Sequence, residues 1–204
     1  MATKEQLSRW KQEVEGLMKA QPEQTWTIAR LSLAYPSQAS RVQIDTVAAV
    51  GHCPAFLTDV VINDAIGRVE VHATFREFEL RGRSSVIGPF AVLLQKGKEA
   101  KGLFRQRFAD SLWPTHGSWK VPFLLETKLG RLIPRPTDEE VVLKSASPGE
   151  YGFPPLGAWF EKWDPIELVQ ESEPDGPTLA VVQHAMHLMH NIGKDPAVPD
   201  FYKH

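Results

Sequence analysis

The chain has 204 residues, 42% of them hydrophobic and 24% charged, with a formal net charge of −2. That balance excludes general disorder and suits one substantial domain, or a domain with an appendage. No apolar run approaches the roughly 20 residues of a membrane span. The polar start "MATKEQLSRWKQEVEG" is no secretory signal and the single cysteine, Cys53, has no partner, so a cytoplasmic location is expected.

The first element is helical. Thr3 can cap it, with Gln6 three residues on to close a capping box. Leu7, Trp10, Val14, Leu17 and Met18 then form one apolar stripe, ended by Pro22. A helix this short needs a surface to pack on. Trp10 is therefore a candidate interface residue, docking on the chain's own sheet or on a partner's helix.

From Trp26 the period becomes that of strands. "TWTIARLSLAY", "RVQIDTVAAV" and "CPAFLTDVVIND" read as strands, the last on its β-branched Val60, Val61 and Ile62. In "RVEVHATFREFELRGR" the apolar set Val69, Val71, Ala73 and Phe75 slips one position before Phe78 and Leu80, which predicts a bulge near Arg76 and Glu77. "GPFAVLLQ" reads as a buried strand, "LFRQRFADSLW" as strand or helix, and "SWKVPFLLETKLG" as a strand that Pro122 pushes towards an edge. A proline-rich stretch over 145–157 is followed by short pieces. "PTLAVVQHAMHLMHNIG" is expected to form a final helix, with Pro177 near its first turn and Gly193 at its end.

These elements predict an α+β fold around a mainly antiparallel sheet, with an N-terminal amphipathic helix, a C-terminal helix and a partly closed barrel as the main variant. Residues 1–144 would form a helix plus β-rich core, and 145–204 a proline-rich excursion and helix packed on the same domain.

Motifs for chemistry are absent: no glycine-rich phosphate loop, paired zinc cysteines, His-Glu-x-x-His or Gly-x-Ser-x-Gly occurs. Cys53 beside His52 reads as a small core residue, and Asp45, Asp59 and Asp64 have no visible convergence. In "QHAMHLMH", His184, His187 and His190 recur every three residues, which on a helix makes a staggered row unlike the i, i+4 pair that grips a metal. No metal or other cofactor is expected, and the three histidines are assigned to an interface that responds to protonation.

Charge is segregated. Residues 1–75 carry −1, residues 76–135 carry +7, and residues 136–204 carry −8. Arg81, Arg83, Lys96, Lys98, Lys101, Arg105 and Arg107 lie in the basic middle among Phe104, Phe108, Trp113 and Trp119. Cations with interleaved aromatics suit a phosphate backbone and stacked bases. The leading expectation is a non-enzymatic nucleic-acid-binding or nucleoprotein-assembly subunit, with single-stranded nucleic acid as partner. Its alternative is a structural subunit of a homo- or hetero-oligomer, joined by contacts between basic middle and acidic tail.

Overall fold

The computed structural model describes residues 2–19, 26–35, 43–52, 55–75, 77–112, 115–136, 141–146 and 159–190. The capping box forms: the Thr3 N–H donates to Gln6 Oε1 at 2.8 Å, and the Gln6 N–H donates to Thr3 Oγ1 at 3.2 Å. Helix α1 follows over Lys4–Lys19 and buries Leu7, Trp10 and Val14.

Everything after it among the described residues is strand, turn or loop. β1 (Trp26–Tyr35) and β14 (Ala180–His190) are continuous. The path between them is a series of long strands, each broken in two: β2 (Gln43–His52) with β3 (Ala55–Asn63), β4 (Arg68–Phe75) with β5 (Glu79–Ser84), and β6 (Gly88–Leu94) with β7 (Ala100–Gln106). Next come β8 (Thr115–Lys120) with β9 (Phe123–Thr127), β10 (Gly130–Pro134) with β11 (Val142–Ser145), and β12 (Trp159–Lys162) with β13 (Ile166–Gln170). Each long strand pairs antiparallel with its sequence neighbours, and β14 returns to pair with β1 along its length. The result is an eight-stranded antiparallel barrel.

Two halves can be told apart along the barrel axis. In the first, β1, β2, β5, β6, β9, β10, β13 and β14 close a complete ring. In the second, the ladder runs β14–β12–β11–β8–β7–β4–β3 and stops at β3, which pairs only with β4 among the described strands. Helix α1 contacts β3 and β4 at this unclosed side.

The expected α+β fold and C-terminal helix are thus corrected to a nearly all-β barrel. β14 deceived the helical reading for a local reason. Its inward residues are Ala180 and Val182, then Ala185 and His187, because the register with β1 jumps between Ser32↔His184 and Leu33↔Val182. A bulge at Gln183 turns a period of two into spacings of two, three and two, which imitates a helix face. The adjacent β-branched Val181 and Val182 were the contrary signal.

Arg76, near which the slip was anticipated, lies outside the described residues; on either side of it Val69, Val71, Ala73 and Phe75 point inward on β4, and Leu80, Gly82 and Ser84 on β5. Pro122 does not mark an edge; it occupies the break between β8 and β9 in the middle of the wall. Charged residues such as Glu70, Arg81, Arg83 and Lys101 alternate with these inward positions on the outer face. Apolar inside and charged outside is the inverse of a membrane barrel's pattern. No helix among the described residues is long and apolar enough to cross a membrane.

Candidate functional site

The second half of the barrel is filled. Phe75 stacks on Trp119 with centroids 3.9 Å apart, and Phe104 and Phe160 meet Trp119 edge-on at 5.1 and 6.5 Å. Two glycines make this possible. A Cβ at Gly102 would stand 2.6 Å from Phe104 Cε2 and 2.7 Å from Trp119 Cζ3, and one at Gly117 would stand 2.5 Å from Phe104 Cδ1. Large rings beside glycines across the β7–β8 pair are how a small barrel packs its interior.

Above this aromatic floor the inward residues shrink. Ala29 and Leu31 from β1, Leu80 and Val92 from β5 and β6, and Val182 and Ala185 from β14 surround a cavity of about 60 Å³. Phe75 and His187 bound it on the aromatic side, and half-buried Phe78 and Met186 border it.

His187 is the polar exception in this lining. It lies opposite Ala29 on β1 and Phe160 on β12, with the Phe75 and Phe160 rings 6.3 and 6.4 Å from its own. Only 8% of it is exposed, and its Nε2 finds no hydrogen-bond partner among the described residues. Burial pushes its pKa down to about 4, so the ring is neutral at physiological pH. An unpaired buried nitrogen costs roughly 1–3 kcal/mol and asks for a reason. A water there needs two to four polar partners.

The other histidines of the row take different positions. His184 is on the outer side, stacked on Trp163 with ring centroids 3.8 Å apart. The side chain of His190 lies outside the described residues, as do Cys53 and Trp113. The bulge therefore sends His184 and His187 to opposite faces, so they do not form one row. Trp10 is buried to 6% exposure in the chain's own core.

The seven basic residues fall in three places. Arg81, ion-paired with Glu79, and Arg83 lie on β5 near its turn into β6. Lys96, Lys98 and Lys101 surround the break between β6 and β7. Arg105, 3.9 Å from Glu70, and Arg107 lie where β7 ends. Of the aromatics among them, Phe104 and Trp119 are core and Phe108 is exposed, with Arg107 over its ring at 5.6 Å. Contacts between the basic middle and the acidic tail occur within the chain, where Arg131 meets Glu171 at 3.1 Å and Arg135 meets Glu167 at 2.8 Å.

Asp45, Asp59 and Asp64 do not converge. Asp45 accepts from the Ser84 hydroxyl at 2.6 Å and the Ser85 N–H at 2.9 Å, Asp59 accepts from the Val60 N–H at 2.8 Å, and Asp64 is exposed in a turn. Tyr35, 3.4 Å from Ser84, completes what resembles a relay. Ser84 Oγ also accepts from the N–H groups of Val86 and Ile87, so the chain serves to fix the β5–β6 turn. No group of three or more metal-ligating side chains occurs among the described residues.

No protein-family model matches the chain, and no curated protein does. Among solved structures, the fold is similar to that of DynF from the dynemicin biosynthesis pathway of Micromonospora chersina, with a TM-score of 0.67 at 20% identity over 88% of this chain and 82% of that one. At that identity the likeness concerns the barrel alone.

Proposed function

We propose that the protein is a binding protein that holds a small, largely apolar molecule inside its barrel, with His187 supplying the polar contact. The observation that supports this reading is a wholly apolar cavity bounded by His187, a buried neutral imidazole whose Nε2 has no partner among the described residues. Eight-stranded barrels have an interior of the size that holds one small ligand. A neutral imidazole can donate to or accept from a hydroxyl, carbonyl or heterocycle. Binding is favoured over acid–base catalysis because a base titrating near 4 is poorly matched to proton transfer at neutral pH. A cytoplasmic location goes with this reading.

The test is titration with the neutral, environment-sensitive fluorophore N-phenyl-1-naphthylamine. The expected result is saturable one-to-one binding that Ala29→Leu, which fills the chamber, reduces at least tenfold. Absence of saturable binding, or binding indifferent to Ala29→Leu in a variant that melts normally, would overturn it.

Contact with nucleic acid or an oligomeric partner through the basic middle is a separate proposal. The scatter of its seven residues over three places is why the cavity is preferred. Its test is binding of an unrelated single-stranded oligonucleotide that weakens steeply with salt.

A further inference from the structure

Resting on the cavity reading, we infer that ligand enters the chamber between the β4–β5 junction and the β6–β7 turn, and that Phe78 is the gate closing this entry. The chamber's lining is buried except at Phe78, Val141 and Met186, which are half-buried. Two of these are built into the hydrogen-bonded wall. Met186 lies on β14, paired with Arg30 on β1 and with Glu161 on β12. The Val141 carbonyl accepts from the Val121 N–H at 2.9 Å. Phe78 belongs to no strand, because β4 ends at Phe75 and β5 begins at Glu79.

The ladder is interrupted beside it. Where β4 and β5 run along β7 and β6, the pairs nearest the junction are Phe75 with Ala100 and Glu79 with Leu93. Between those pairs, residues 77–78 face the stretch 94–99, and among the described residues no backbone hydrogen bond joins the two sides. The far rim is a tight turn, in which the Lys98 N–H donates to the Gln95 carbonyl at 3.0 Å and Gly97 takes a φ of 75°. Glu77, Lys96, Lys98 and Glu99 are exposed on the two rims, whereas Phe78 packs against the core.

Passage at Met186 or Val141 would have to part backbone hydrogen bonds. At Phe78, rotation of one side chain clears the gap and leaves the ladders intact. A gate of this kind sets the rates of entry and exit together, and adds to affinity only through its contact with the ligand. Among variants of one binding surface, changes fall mostly on dissociation. A change in the association rate therefore separates the gate from a residue that only lines the chamber.

Stopped-flow mixing of the full chain with N-phenyl-1-naphthylamine reads both rates. Phe78→Ala is expected to raise the association rate about tenfold, and Met186→Ala to leave it within about twofold of the parent. Phe78→Leu keeps an apolar side chain against the core, serves if the alanine variant folds poorly, and should give a smaller rise. An association rate unchanged in both Phe78 variants, or raised equally by Met186→Ala, overturns this inference while the cavity reading stands. If the fluorophore does not bind the parent protein, both fall.

Discussion

The two halves of the barrel share one wall and one strand order, yet one is a core and the other a chamber. The difference is the size of the inward side chains. Around Gly102 and Gly117 the interior is occupied by Phe75, Phe104, Trp119 and Phe160, whereas around Ala29 and Ala185 a mostly aliphatic lining, with Phe78 and Phe123 among it, leaves a cavity. A barrel can thus keep its stability at one end and its site at the other. Mutations should separate the two.

The largest effect is expected in the filled half. Trp119 is fully buried between Phe75 and Phe104, and Trp119→Ala should cost about 4 kcal/mol. Leu31 already borders open space, so Leu31→Ala should cost only about 2 kcal/mol, the low end for such a truncation. Urea unfolding of both variants measures the contrast. Equal losses would mean that the chamber is as tightly packed as the floor.

The next effect belongs to His187 and to pH. Its pKa is near 6.5 when unfolded and about 4 in the barrel, so between these values the unfolded chain binds the extra proton. Stability from this group is whole above pH 6.5 and is lost as the pH falls towards 4, by about 3 kcal/mol in all. His187→Phe should flatten that part of the curve. It should also stabilise the protein at pH 7 by roughly 1 kcal/mol, because it removes an unpaired polar atom without opening a cavity. A parallel pH profile in the variant would assign the acid lability elsewhere.

How much of this could be read from residues alone follows from what was local. Strands such as Arg68–Phe75 alternate cleanly, and the slip after Phe75 exposed the break before β5. The helix cap is a four-residue signal and was legible. Closure was not, because nothing within β1 or β14 states that the two meet across the length of the chain. The cavity was illegible for the same reason: Ala29 becomes a neighbour of His187 only once the barrel shuts. The histidine cluster drew attention to β14, but the bulge at Gln183 hid its period and so its faces.

The smallest effect tests whether the filled half serves the site at all. Thr3→Ala removes one arm of the capping box and leaves the Gln6 N–H to water, which should cost about 1 kcal/mol. Helix α1 packs on β3 and β4, and of the residues that line the chamber only Phe75 lies on those strands. Fluorophore affinity should therefore stay within twofold of the parent while the melting temperature falls by a few degrees. A loss of affinity larger than that would tie α1 to the cavity, and the two halves would then have to be treated as one cooperative unit.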